Sequence, residues 1–290
     1  MKKRSQTFNA GNNINSAPIL LQGLFYLCLL AVLLIVLLPF VTMLLNAFKP
    51  RAESLSANIL PSRLSFESFE YVLSARDNLF FRSLLNSIKV CSIVVVIQVV
   101  VAGCCGYAFS RFKGIFFRGF SNLMLLLYMI PGGLTLIPLF IIFKNLSITD
   151  THFSLFLAYT SMTMPFSVWM TKGYIDSVSF SLEESAMVEG ASQFKAFYKI
   201  ILPIILPGIS SVAIFTFISC WQEYLMSSIF VKDQKLITMT VALQMFVQEF
   251  GSDVVSLMAA ACLGTIPMII LLIFGQRYIV AGMTAGAVKG

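Results

Sequence analysis

Apolar residues along this chain form long stretches that are separated by short polar segments. The stretches cover roughly residues 19–45, 84–108, 118–143, 153–171, 204–230 and 254–274. A helix needs about 20 apolar residues to cross the hydrocarbon layer of a membrane, and each stretch reaches or approaches that length. The pattern therefore predicts an all-α polytopic membrane protein with six transmembrane helices.

The composition agrees with this prediction. The chain is 58% hydrophobic and 11% charged, whereas a soluble domain carries about 25% charged residues. Residues 1–18 are polar, and the apolar run that follows is too long for a cleavable signal. We expect a terminal tail at 1–18, a transmembrane domain at 19–277 and a second tail at 278–290. The net charge is +7, but the basic residues are dispersed without aromatic interleaving, so nucleic-acid binding is not expected.

Residues 181–207, here called the polar segment, interrupt the apolar pattern between the fourth and fifth stretches. Ser181 and Glu184 have the spacing of a capping box, which predicts a helix start at Ser181. Gly190 then breaks this helix, as a residue free to take positive φ would. A second short helix is expected to end at Pro203, with apolar positions at i, i+3, i+4 and i+7. These positions are Phe194, Phe197, Tyr198 and Ile201.

The polar segment has the composition of a docking element. We expect its aromatic residues Phe194, Phe197 and Tyr198 to bury against the membrane domain, and its acidic residues to stay exposed. The acidic residues are Glu183, Glu184 and Glu189. The alternative is an amphipathic helix that lies on the membrane without a protein partner. Such helices usually carry basic polar faces, and the first half of this segment is acidic, which favours docking.

The sequence contains no arrangement typical of catalysis. No Gly-Lys dipeptide occurs, so a phosphate-binding P-loop is absent. All six cysteines fall in apolar stretches, where we expect packing roles, and the lone His152 is expected at a surface or interface. We therefore predict a protein that is not an enzyme and that has no metal site and no cofactor of its own.

Glu223 is the one acidic residue well inside an apolar stretch. Because intramembrane charge is costly, it is expected either to line a cavity near the outer side or to bond a neighbouring helix. Amides and aromatic rings suit sugar recognition, although isolated ones more often pack or form interfacial belts. The further candidates for a substrate pathway are Gln98, Tyr128, Tyr159, Trp169 and Trp221.

Several residues of the polar segment have the identity and spacing of a known motif. These residues are Glu184, Ser185, Ala186, Gly190, Ile200, Leu202 and Pro203. The pattern resembles the EAA loop of bacterial ABC-importer permeases, EAA-x3-G-x9-I-x-LP, with Ser185 at a position where the family usually has alanine. The resemblance implies that this loop forms a cytoplasmic coupling helix on which a separate ATPase docks. That partner would bind the ATP.

The resemblance continues outside the loop and narrows the family. The chain is similar to oligosaccharide-importer permeases related to the maltose permease pair in its ending after Gln276 and in several short motifs. These motifs are Tyr107–Phe112, Pro131–Gly133, Thr151–His152, Leu157–Tyr159, Pro165–Phe166, Lys172–Gly173 and Trp221–Tyr224. Gln222 stands where the family often has asparagine.

The resemblance also implies partners and an orientation. It implies a second homologous permease subunit, an ATP-binding cassette ATPase dimer and an extracytoplasmic sugar-binding protein. The loop 231–253 would face the binding protein, and the tail 278–290 would reach the ATPase. Both termini would be cytoplasmic in a bacterial cell (inner) membrane. The three basic residues within 111–118 favour the same orientation.

Two other functions stay open at this stage. One is an ABC permease for a non-sugar solute such as a glycerophosphodiester. The other is a secondary transporter, which would need intramembrane charges to bind coupling ions. Glu223 alone gives thin support for such ion binding, and no internal repeat is visible. The identity of the sugar, and whether this subunit or its partner contacts it, are not determined by the sequence.

Overall fold

The computed structural model describes residues 19–56, 58–112, 114–249 and 253–287, with no side chains described for 249 and 277–287. The expected tail at 1–18 and residues 288–290 lie outside the described residues. Within them the secondary structure is helical, without strands. This confirms the all-α class.

Eleven α-helices are present in the described residues, and they are numbered here in chain order. The first five are α1 Ile19–Ala47, α2 Glu67–Arg111, α3 Ile115–Tyr128, α4 Gly132–Asn145 and α5 His152–Asp176. The next three are α6 Ser181–Val188, α7 Gln193–Ala196 and α8 Leu202–Trp221. The last three are α9 Leu225–Phe230, α10 Met239–Glu249 and α11 Val254–Ala287. A π-helical turn, Phe197–Ile201, joins α7 to α8.

Four helical units in the described residues are long and apolar enough to cross a membrane, or five if the bent pair α3–α4 is one span. The four are α1, α2, the continuous unit Gln193–Trp221 and the part of α11 at Val254–Gln276. Helix α5 has 25 residues, which is long enough to cross, but it is less apolar. The count of six spans therefore stays a prediction.

The predicted third and fifth spans are wrong as single straight helices. Helices α3 and α4 meet at a bend of 102°, because Pro131 disfavours helical backbone at the residue before it. The fifth span, expected over 204–230, is interrupted between Trp221 and Leu225. Helix α11 continues to Ala287, so the segment expected as a tail from 278 is helical up to that residue.

Helices α2, α5, α8 and α11 pack against one another, and α1 lies on α11. A Cβ at Gly208 of α8 would lie closer than 3.0 Å to the ring of Tyr174 on α5. The absence of a side chain at Gly208 is what allows these two helices to approach. A second, smaller core forms where these helices end near the polar segment, and it consists of Tyr107, Ile175, Val178, Phe197, Ile201, Ile205 and Ile209.

The loop between α1 and α2 is tied to the start of α11 by an ion pair. Arg51 Nη2 lies 2.8 Å from Asp253 Oδ2, and the guanidinium lies 3.6 Å from the ring centroid of Tyr71. Burial alone would raise the pKa of the Asp253 carboxyl. Hydrogen bonds donated by Arg51 and Ser256 outweigh the burial and hold that pKa below its usual value of 3.8.

Two short helical segments lie outside the long apolar stretches. The first, near 65–74, is the beginning of α2, which kinks at Arg76–Asn78, where three residues have positive φ. The second is α10 in the loop 231–253. His152 is half-buried at the start of α5, with Nε2 3.0 Å from the carbonyl oxygen of Leu236.

Candidate functional site

Helix α6 begins at Ser181, as predicted, but the predicted capping box is wrong. The position before the helix is Phe180, whose carbonyl oxygen accepts hydrogen bonds from the backbone N–H groups of Glu183 and Glu184 at 3.0 and 3.1 Å. The Ser181 hydroxyl instead lies 2.7 Å from the Ser179 hydroxyl. Backbone bonds therefore close this terminus without a side-chain cap.

Gly190 ends the α6 region with φ of +89°, which confirms the predicted left-handed backbone. The backbone N–H of Ala191 donates to the Ala186 carbonyl at 2.9 Å, and that of Gly190 donates to Met187 at 3.0 Å. Ser192 then caps α7 by accepting from the backbone N–H of Lys195 at 3.3 Å. The chain thus turns sharply between two helices at a residue that tolerates positive φ.

The predicted helix end at Pro203 is wrong. The π-helical turn runs directly into α8, and Pro203 lies in the first turn of that helix. The π-helical turn changes the hydrogen-bond pattern just before Pro203, so the helix continues through a residue that lacks an N–H donor. The polar segment is thereby continuous with a membrane-length helical unit, Gln193–Trp221.

The residues of the predicted docking surface divide into exposed and buried sets. The exposed set is Glu184, Ser185, Gly190 and Pro203. The half-buried set is Ala186, Ile200 and Leu202. Phe197 is buried, with its ring centroid 4.6 Å from that of Tyr107. The predicted burial of Phe194 and Tyr198 is wrong, since these side chains are 75% and 61% exposed.

The predicted exposure of Glu183 is wrong as well, because its side chain is only 1% exposed. Its carboxylate accepts from Arg111 Nε at 2.5 Å and from the Tyr107 hydroxyl at 2.6 Å. Arg111 also donates to the Val178 carbonyl at 3.1 Å. Both Tyr107 and Arg111 lie at the end of α2, so this carboxylate anchors α6 to that helix.

A second polar contact links the ends of α2 and α5 beside this anchor. Asp176 Oδ1 accepts from the Ser110 hydroxyl at 2.6 Å, and its Oδ2 accepts from Lys172 Nζ at 2.6 Å. Ser110 is also 3.2 Å from Arg111 Nη1. Hydrogen bonds that run from Glu183 through Arg111 and Ser110 to Asp176 therefore link α6 to both α2 and α5.

Glu223 lies in the break between α8 and α9 and borders a cavity of about 340 Å³. Its carboxylate accepts from the backbone N–H groups of Met226 at 2.9 Å and Ser227 at 3.2 Å. Glu223 therefore caps α9 in addition to facing the cavity. The cavity is lined by Tyr128, Met162, Thr163, Phe215, Ser219, Gln222 and Glu223.

The other pathway candidates are not brought together at this cavity. Gln98 and Tyr159 are fully buried, and their side-chain polar atoms have no hydrogen-bond partner among the described residues. Trp221 packs on Phe217 and its Nε1 donates to the carbonyl oxygen of Gly264 at 3.3 Å, so its indole ring lies within the helix packing.

Trp169 is partly exposed, with its ring centroid 6.2 Å from that of Phe166, and it does not line this cavity. The six cysteines are free thiols. Across the described residues, no three side chains of His, Cys, Asp or Glu are placed to hold a metal ion.

Comparison with known proteins decides the family. The sequence model described as "Binding-protein-dependent transport system inner membrane component" matches residues 98–285, which include the whole polar segment, the Glu183 anchor and the cavity. The chain belongs to this family. The permease thus shares with its family the part of the chain that holds both candidate sites.

Curated relatives align with almost all of the permease. It is 35% identical over 256 residues to the diacetylchitobiose uptake system permease protein DasC of Streptomyces coelicolor, covering 87% of this chain and 91% of the relative. It is 32% identical over 265 residues to the trehalose/maltose transport system permease protein MalG of Thermococcus litoralis, covering 89% and 93%.

The fold of the permease is also that of a solved transporter. A chain in the crystal structure of a bacterial ABC transporter involved in the import of the acidic polysaccharide alginate superimposes with a TM-score of 0.75. The alignment covers 96% of the permease and 99% of that chain at 22% sequence identity. This likeness confirms the fold of an ABC-transporter permease.

Sequence reasoning missed the role of Glu183 in the permease. The ion pair joins residues that are 72 positions apart, and two adjacent glutamates give no sign of which one is buried. The presence of Arg111 in a short motif at the end of an apolar stretch was the available signal. This motif indicated that Arg111 matters, but it did not indicate that Glu183 is its partner.

Proposed function

We propose that the permease is the membrane-spanning subunit of a binding-protein-dependent ABC importer that translocates an oligosaccharide. Its proposed partners are a second homologous permease, an ATPase dimer that binds the ATP, and an extracytoplasmic sugar-binding protein. Relatives named for uptake of diacetylchitobiose and for transport of trehalose and maltose support the cargo class. Both termini are proposed to be cytoplasmic in the cell (inner) membrane.

The observation that carries the coupling proposal is the two-sided arrangement of α6. One side presents Glu184 beside Ser185 and the partly exposed Ala186, and the small side chains of the latter two let a partner surface approach closely. The opposite side is fixed by Glu183 to Arg111. A force applied by an ATPase to the outward side would be transmitted to α2 through the buried ion pair.

A second path from the same surface runs along the chain itself. The π-helical turn packs in the smaller core through Phe197 and Ile201, and it continues without a break into α8. Helix α8 ends next to Glu223 and the cavity. Movement at the docking surface would therefore reach the substrate pathway along one helical unit.

We also propose that the 340 Å³ cavity is the part of the substrate pathway contributed by this subunit. Tyr128 is 45% exposed and supplies an aromatic face, while Gln222 and Glu223 supply polar groups. An aromatic face can stack on the apolar face of a sugar ring, while a few polar groups hydrogen-bond its hydroxyls. Gln98, Tyr159 and Trp221 act as packing residues in this proposal because they are buried.

ATPase activity in proteoliposomes that contain all subunits tests the function. We expect an oligosaccharide-loaded binding protein to stimulate ATP hydrolysis and uptake, and a glycerophosphodiester-loaded one to fail. Stimulation by the non-sugar solute alone would overturn the cargo assignment.

The docking surface is tested by Glu184→Lys, with Lys144→Gln on the outer end of α4 as an exposed control. We expect Glu184→Lys to reduce co-purification of the ATPase, because it reverses a charge on the docking face. Intact co-purification and uptake in this variant would contradict the coupling assignment.

A further inference from the structure

A second cavity, of about 190 Å³, lies at the end of the bundle that carries α6. It is formed where α2 ends, α3 begins and α5 ends, and neither the coupling surface nor the substrate pathway uses it. Its polar lining consists mainly of hydrogen-bond donors. The lining residues are Phe109, Ser110, Phe112, Arg118, Ser121, Asn122 and Lys172.

The charges around this cavity are not balanced. Lys172 is paired with Asp176, which also accepts from Ser110, and Arg111 is paired with Glu183. Arg118 forms no ion pair with any described residue. One guanidinium on the cavity wall is therefore left without a counter-charge, and Asp176 is the carboxylate that an incoming anion would meet.

A cluster of phenylalanine rings borders the same cavity. The ring centroids of Phe112 and Phe117 are 5.2 Å apart, and those of Phe116 and Phe120 are 4.7 Å apart. The adjoining side chains of Ile115 and Phe116 are 93% and 63% exposed. Exposed apolar rings beside basic groups are typical of the boundary between the hydrocarbon layer and water.

We propose that this cavity binds the phosphate of an anionic phospholipid headgroup, with the acyl chains lying along the phenylalanine cluster, and that its unbalanced positive charge favours this headgroup over a zwitterionic one. The Arg118 guanidinium matches phosphate geometry with two parallel N–H donors, and Asn122 adds a neutral donor. Lys172 supplies a second cation that Asp176 partly offsets. Free inorganic phosphate shares this chemistry, but it would leave the apolar border exposed, so the border favours a lipid. This site does not depend on the identity of the cargo.

Native mass spectrometry of the assembled transporter tests the proposal. The complex is incubated with equal amounts of phosphatidylglycerol and phosphatidylcholine, and the retained lipids are counted for wild type, Arg118→Ala, Asn122→Leu and Lys144→Ala. Lys144→Ala removes the same charge from the exposed end of α4, remote from the cavity. A surface cation near anionic lipid is worth roughly a fivefold change in retention. We expect Arg118→Ala to lose phosphatidylglycerol preference by that factor, Asn122→Leu to lose less, and Lys144→Ala to match wild type.

The arms of the experiment separate the sources of phosphate. Addition of millimolar inorganic phosphate is expected to leave the phosphatidylglycerol count unchanged. If inorganic phosphate displaces the lipid in an Arg118-dependent way, the lipid assignment is overturned in favour of a soluble anion. Equal retention by wild type and Arg118→Ala would remove the site altogether. Arg118 is exposed, and size-exclusion elution of the intact complex verifies that the variants assemble.

Discussion

Replacement of Glu183 by glutamine should separate the docking surface from the helices that it moves. The substitution keeps the shape of the side chain but removes the charge that pairs with Arg111 Nε at 2.5 Å. Helix α6 has eight residues, and Val188 and Leu182 on it are substantially exposed. The Glu183 contacts are therefore the main polar attachment of α6 to α2.

The magnitude follows from the burial of the pair. The side chains of Arg111 and Glu183 are 8% and 1% exposed, and removal of one partner of a buried ion pair costs about 3–5 kcal/mol. Arg111 keeps its hydrogen bonds to the Val178 carbonyl and the Ser110 hydroxyl, so we take the lower end. A cost of about 3 kcal/mol lowers the equilibrium constant for α6 attachment roughly 100-fold.

The assay is uptake and stimulated ATP hydrolysis by the complete transporter in proteoliposomes. For Glu183→Gln we expect ATPase association to persist, because the outward face is unchanged, while stimulated uptake falls at least tenfold. Glu189→Gln is the matched control, since it is an exposed glutamate of the same segment. The double variant Glu183→Leu/Arg111→Met removes both buried charges and should recover thermal stability without recovering uptake.

Uptake by Glu183→Gln within twofold of wild type, in a complex of normal stability, would refute the reasoning. It would mean that α6 transmits force through the backbone at Gly190 and the π-helical turn alone. Equal losses in Glu183→Gln and Glu189→Gln would also count against the anchor, because only one of these carboxylates is buried.

Three further outcomes are expected. Gly208→Ala should destabilise the protein by about 1–3 kcal/mol because the added Cβ meets the Tyr174 ring. Gly103 has open space around it, so Gly103→Ala should stabilise the protein by up to about 1 kcal/mol. Thermal unfolding in detergent compares the two variants, and a change of the same sign in both would contradict the packing. Gly190→Ala should cost about 1–2 kcal/mol at its φ of +89° and weaken ATPase co-purification, and unaltered co-purification would contradict the role of this turn. The pKa of Asp253 is lowered in the folded state from 3.8, so its ionised carboxylate stabilises the fold fully at neutral pH and loses this effect as the pH falls below about 4. The difference in melting temperature between wild type and Asp253→Asn should therefore be present at pH 7 and shrink by pH 3. A difference that stays constant would contradict the ion pair.

Local patterns predicted most of the elements in this chain, and they failed where a distant residue decides. The positive φ of Gly190 and the start of α6 at Ser181 were predictable because each depends on a few neighbouring residues. The capping box was wrong because Phe180 is the N-cap residue, so that Ser181 lies inside the first turn and its hydroxyl pairs with Ser179. The helix end at Pro203 was wrong because the π-helical turn before it lets the helix continue through the proline.

The substrate pathway shows the same limit. Intramembrane polarity identified Glu223 first and Tyr128 among the weaker candidates, and these two meet at one cavity, but the weaker candidates Gln98, Tyr159 and Trp221 do not line it. Polarity reports the cost of a group in lipid without reporting which neighbours satisfy it. Burial against other helices separates the two sets.

The sequence by itself determined that this is a helical membrane protein, where its polar segment lies, and which family its motif resembles. These properties depend on the length of apolar stretches and on the short, fixed spacing of motif residues, and both can be read directly from the order of residues. The tertiary structure decided that Glu183 is buried against Arg111 and that Arg118 has no counter-charge among the described residues. Each of these depends on helices that are distant in the chain packing side by side, because only packing determines which charges are removed from water and which remain unpaired.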